Sequence, residues 1–180
     1  VVVLSFLRTA MGTQQTPPNM VLVGMALILT LFTMTPTLDA VKTEAYDPYA
    51  AGEITQEEFF DQAQVPLKEF MLRNTAPASL ELYCNMADVP APESDAEAGD
   101  LPMRVVMPSF VTTELKRAFE IGFLLYIPFL LIDVIVSSTL MSMGMVMLPP
   151  SMISTPFKIL LFIMLDGWQL LFSTLITTVN

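Results

Sequence analysis

Three long apolar stretches organise the chain. Residues 20–38, "MVLVGMALILTLFTMTPTL", run for 19 residues without a charge. Residues 121–148 run for 28 with Asp133 as the only charge, and residues 157–179 run for 23 and include Lys158 and Asp166. A helix needs about 20 apolar residues to cross a bilayer, so all three are predicted to be transmembrane-type helices. The opening "VVVLSFLRTAMGT" reads as the tail of a further apolar helix. It has no initiator methionine, basic leader or small-residue cleavage site, so the chain is expected to derive from a longer precursor. Gly12, Pro17 and Pro18 in "RTAMGTQQTPPN", residues 8–19, predict a turn that pairs this tail with the first full helix as a hairpin.

Between the first and second stretches the pattern becomes amphipathic and short. Thr55-x-x-Glu58 has the spacing of a capping box, and Phe59, Phe60 and Ala63 follow at helical intervals. Pro66 is expected to end that helix at Val65 and to begin another carrying Leu67, Phe70 and Met71. A third short helix is expected over residues 79–87. Residues 88–102 hold five acids and three prolines, which predicts a flexible, solvated linker. Ser109 or Thr112 is expected to cap the next helix, with Glu114, Lys116 and Arg117 as its polar lead-in. That helix poses a length problem. Twenty-eight helical residues would span ~42 Å against a hydrocarbon core of ~30 Å. Either it tilts and kinks at Pro128, or its end leaves helical geometry, or much of it is buried in protein.

The expected fold is therefore all-α. Membrane-type helical hairpins carry a small helical extracytoplasmic subdomain. The expected domains are residues 1–39, the truncated hairpin; 40–108, the acidic subdomain; and 109–180, the long helix, the methionine loop and the final helix. Composition agrees, with 53% hydrophobic and 14% charged residues and a mean hydropathy of +0.60. Residues 40–119 contain 14 acids against 6 bases, which argues against a nucleic-acid partner, since phosphate contacts need basic clusters. Arg8 at the first turn favours a cytoplasmic side and would place the acidic segment outside. There is no histidine, and Cys84 is the only cysteine. Zinc, haem, iron–sulfur and histidine-based catalysis fit poorly, no glycine-rich phosphate loop is present, and no cofactor is expected. Cys84 reads as a small, partly buried hydrophobe.

Two groups of residues stand out. Asp133 in "FLLIDVIV" and Asp166 in "FIMLDGWQL" are carboxylates inside apolar segments, where a charge costs roughly 2.5–3.5 kcal/mol and usually has a partner. A proton relay is conceivable, but structural pairing, with Lys158 as the nearest cation and Glu120 as a further charge at subunit contacts, is the preferred reading. The second group is "MSMGMVMLPP", residues 141–150. Methionine commonly fills gaps between packed helices. Spacing by two nevertheless scatters Met141, Met143, Met145 and Met147 around a helix and aligns them on one face of an extended strand. Gly144 and the pair Pro149–Pro150 weaken a helix further. Non-helical backbone at membrane depth is tolerated only inside protein or along a watery cavity, so a lumen-facing loop is expected.

"FEIGFLLYIPFLLIDVIVSSTLMSMGMVMLPP" followed by "PFKILLFIMLDGW" closely resembles the FliP family, the flagellar member of the SctR-type export-gate proteins of type III secretion. "LRTAMGTQQTPPNMVL", "PLKEFMLRNT" and "VTTELKRAFEIGF" extend the likeness over essentially the whole chain. The resemblance implies a homo-oligomer, pentameric in relatives, that joins FliQ-type and FliR-type subunits in a helical gate. It further implies FlhB-type and FlhA-type partners, unfolded flagellar subunits as cargo, and a place in the bacterial inner membrane at the flagellar basal body, with residues 40–108 periplasmic. The methionine loop would then be a gasket made by Met143, Met145 and Met147. The family pattern has methionine at three consecutive positions, whereas this chain has Val146 in the middle. Pro149 favours the flagellar branch over an injectisome subunit, and a proton-coupled transporter using Asp133 and Asp166 is the remaining alternative.

Overall fold

A computed structural model describes residues 1–180 apart from Gln14, Glu93, Val146 and Asn180, and apart from the side chains of Asp95 and Ala96. The described residues are helical throughout their regular structure, and the protein is an all-α membrane protein. In chain order the helices are α1 (Val2–Ala10), α2 (Asn19–Val41), a π-turn (Lys42–Tyr46) running into α3 (Asp47–Ala50), α4 (Gln56–Arg73), α5 (Pro77–Met86), α6 (Asp95–Asp100), α7 (Met103–Ser142), α8 (Pro150–Met164) and α9 (Gly167–Val179). They divide into two compact units, residues 1–30 with 117–179 and residues 31–116.

The first unit is built on the predicted apolar stretches. Val3, Leu4, Leu7 and Ala10 recur at three- and four-residue steps on α1, and they are buried together with Met11, Leu22, Phe129, Phe162 and Leu171. Gly122 on α7 makes room for Phe6, because a Cβ there would lie 2.8 Å from its ring. Phe6 in turn meets Phe119 edge-on, with ring centroids 5.6 Å apart. Arg8, at the end of α1, donates to the Asn19 side chain at the start of α2, so the turn between them is fastened by its own polar residues.

Three expectations are answered along α7, α8 and α9. Residues 121–142 of the second stretch lie within a single helix of 40 residues, α7, which ends before the stretch does, one of the three outcomes expected. At 1.5 Å per residue that is about 60 Å, roughly twice the hydrocarbon thickness. It starts at Met103, so Ser109 and Thr112 are interior residues rather than caps. The third stretch is not one continuous helix. It is divided into α8 and α9, which bend by 63° about the break. Asp166 adopts a left-handed conformation there (φ 48), and a Cβ at Gly167 would lie only 2.3 Å from the Phe162 ring. Trp168 then packs edge-on against Phe162 at 5.2 Å. Hydropathy measures apolar length and is blind to this elbow.

The second unit is the small helical subdomain. Cys84, Leu101, Val105 and Val106 form its buried centre. Cys84 is completely buried, beyond the partial burial expected, and burial pushes its thiol pKa up and so disfavours the reactive thiolate. Pro66 does not end α4, which runs unbroken for 18 residues with Pro66 and Phe70 buried. Proline removes one helical hydrogen bond, and burial of this face offsets the loss. Ser109 is buried and returns its hydroxyl to the Val105 carbonyl, while Thr113 Oγ1 accepts from the Ala76 N–H and so caps α5 from outside. The acidic stretch 88–102 includes an ordered turn, α6. Ser94 caps it, and Lys68 Nζ donates to the Gly99 carbonyl at 3.0 Å.

The capping box on α4 forms as the spacing predicts. Thr55 Oγ1 accepts from the Glu58 N–H while the Glu58 carboxylate accepts from the Thr55 N–H at 2.7 Å. That backbone N–H and the Thr55 hydroxyl hold the Glu58 pKa below the usual glutamate value. A lowered folded-state pKa adds stability that is present above the unfolded pKa and fades as pH falls through the folded one. Thr55→Ala is expected to destabilise the subdomain by about 1 kcal/mol. Thermal unfolding of the full chain in detergent should show this at neutral pH, with the difference narrowing in acid.

Candidate functional site

The site is the turn between α7 and α8, and the polar residues at its base. Helix α7 ends on a pattern dictated by Gly144, whose φ of +75 is left-handed. The Met145 N–H reaches back to the Leu140 carbonyl at 3.0 Å, and the Gly144 N–H to the Met141 carbonyl at 3.1 Å. This is a Schellman motif, which satisfies carbonyls that the helix end would otherwise leave open. Pro149 and Pro150 then set the entry to α8, with Pro150 in its first turn, where a missing N–H costs nothing. Residues 141–145 thus end a helix in a turn rather than running as the extended strand on which the spacing would align the methionines. Met141 is still helical, and the backbone turns at Met143 and Gly144. Val146 lies outside the described residues.

The methionines are presented rather than packed. Met147 is 99% exposed, Met141 and Met143 67% each, and Met145 40%. Nothing lies within 4 Å of a Cβ built on Gly144, so Gly144→Ala would meet only the backbone penalty of a left-handed alanine, about 1–2 kcal/mol. Gly144→Ala is expected to unwind the end of α7. Gly144→Asn should be milder, and hydrogen exchange at the amides of residues 140–145 distinguishes the two.

Below the turn, the legs α7 and α8 are joined by a charged clamp. Lys158 Nζ donates to Asp133 Oδ2 at 2.6 Å, and Ser154 Oγ donates to Oδ1 at 2.6 Å. Ser154 and Lys158 are four residues apart, hence on one face of α8. Both are buried, at 0% and 5% exposure. The predicted Asp133–Lys158 pair therefore exists, within one chain. Sequence reading missed Ser154, whose signal was its one-turn spacing from the lysine. Asp166 and Glu120 are exposed in the single chain, and Asp166 sets the elbow between α8 and α9. Among the described residues, no group of three or more His, Cys, Asp or Glu side chains is placed to hold a metal ion.

Residues 1–175 match the model of the FliP family. The chain is 49% identical over 176 residues to the flagellar biosynthetic protein FliP of Aquifex aeolicus, covering 98% of this chain and 73% of that protein. It is 49% identical over 176 residues to the Bacillus subtilis protein of the same name, with 98% and 78% covered. The Pectobacterium carotovorum protein of that name is 48% identical over 178 residues, with 97% and 67% covered.

Proposed function

The chain belongs to the FliP family, and on that premise we propose that it is a pore-forming subunit of a flagellar protein-export gate whose lumen is sealed by Met143, Met145 and Met147. At the coarser level it is a membrane component of the flagellar export apparatus and not an enzyme. The observation that carries the finer reading is the exposure of four thioethers at the end of a 40-residue helix and in the segment that follows it. Soft, unbranched side chains conform to varied surfaces, so a ring of them can seal against ions and still deform around an unfolded polypeptide.

In this reading several copies, five as in relatives, surround the lumen together with FliQ-type and FliR-type subunits. FlhB-type and FlhA-type proteins adjoin them, residues 40–108 face the periplasm, and unfolded flagellar subunits are the cargo. Membrane-type surface on α7, including Phe123, Leu124, Leu131 and Ile135, each more than half exposed, would be covered by those neighbours. The relatives' names and Pro149 favour a flagellar gate over an injectisome. A proton-coupled transporter is disfavoured because both Asp133 oxygens are occupied by α8 donors and Asp166 is exposed. Met147→Cys tests the arrangement. Mild oxidation of the assembled gate should link copies through residue 147, whereas a chain that stays wholly monomeric under oxidation would contradict a shared axis.

A further inference from the structure

The acidic subdomain carries a run of partly exposed aromatic rings. Tyr46 in the π-turn and Tyr49 in α3 lie three residues apart, on one side of the helix. Tyr49 packs on Phe59 with centroids 5.1 Å apart, and Phe59 meets Phe60 at 5.4 Å. Phe60 is 60% exposed, Tyr46 54% and Tyr49 41%. Single exposed rings are ordinary, but a contiguous set marks an interaction surface. Its surroundings have one sign. Residues 39–61 hold seven acids against Lys42 alone, and Glu44, Asp47, Glu53, Glu57 and Asp61 are all exposed.

Charge and distance select the occupant. The apolar run of α2 ends at Leu38. Eight further residues put Tyr46 about 12 Å beyond it and eleven put Tyr49 about 16 Å beyond it. A headgroup layer is only ~5–8 Å deep on each side of the hydrocarbon, so with α2 crossing upright and its apolar run filling the hydrocarbon the rings would stand clear of lipid. A second copy of the same face would bring carboxylates against carboxylates. We propose that the Tyr46–Tyr49–Phe60 surface docks a basic segment of a different protein. Its lysine or arginine stems would lie across the rings, and their charges would meet the carboxylate rim. This surface is independent of the methionine turn and of the gate reading.

A photo-crosslinking phenylalanine analogue at position 60 of the full chain, used in cells that assemble flagella, tests the proposal. The expected adduct is a peptide from another protein with at least two Lys or Arg residues within a few positions of the link. Its yield should fall at least about tenfold when Glu57→Lys and Asp61→Lys are combined, because charge complementarity governs encounter. An adduct with another copy of this chain, an adduct with lipid, a yield that ignores the charge reversal, or no adduct at all would overturn it.

Discussion

Replacing Met143, Met145 and Met147 together by alanine is expected to leave the assembled complex intact and to make cells leak small ions and solutes. The three thioethers are exposed in the single chain, so their removal opens no cavity in the chain's own core and should cost little in folding. Their loss widens the constriction that they would form. An ion in an apolar constriction faces a barrier of several kcal/mol from desolvation. Every ~1.4 kcal/mol removed from that barrier raises flux about tenfold, so the leak should rise by one to two orders of magnitude. Growth in the presence of a small toxic solute, together with purification of the intact complex, reads both halves. Unchanged permeability with normal assembly would count against the gasket.

Lys158→Ala is expected to have the largest effect on stability. It would strand the Asp133 carboxylate beside a buried Ser154, where the lysine now lies 2.6 Å away. Removing one partner of a buried pair costs about 3–5 kcal/mol. The Asp133 side chain keeps 33% of its surface exposed, so the lower end of that range applies. Replacing both residues, Asp133→Leu with Lys158→Met, should recover most of the loss, because the stranded charge disappears. Thermal melts of the detergent-purified variants, compared as a double-mutant cycle, check this. A loss in the double variant equal to the sum of the losses of Asp133→Leu and Lys158→Met made singly would show that the two side chains are not coupled. Secretion should follow the same order, since the clamp joins the two legs that hold the methionine turn.

Much of this architecture was legible in the sequence because its strongest signals are local. The capping box formed at Thr55 and Glu58, α2 brackets the first apolar stretch, and Asp133 found Lys158 because a charge in apolar surroundings must find a partner. What the sequence hid was geometry decided by packing. Pro66 reads as a helix stop, and so would Pro36 and Pro156, yet all three lie inside helices. Lipid and protein interiors offer no water to a broken backbone, so continuing the helix with one lost bond is better than ending it. The break that does occur, at Leu165–Asp166, depends on the Phe162 ring resting over Gly167, a contact that no periodicity encodes. The methionine spacing pointed to a non-helical loop but not to the tight turn by which Gly144 ends α7.

Ion current through the reconstituted complex tests the central claim most directly. In a gate opened by Met143→Ala and Met145→Ala, Met147→Cys places a single accessible thiol at the turn, Cys84 being fully buried. A positively charged thiol reagent should then reduce cation current at least about tenfold, since a fixed like charge in a narrow pore repels the ion. A cysteine that reacts fully without altering the current would place the turn outside the lumen and contradict the account.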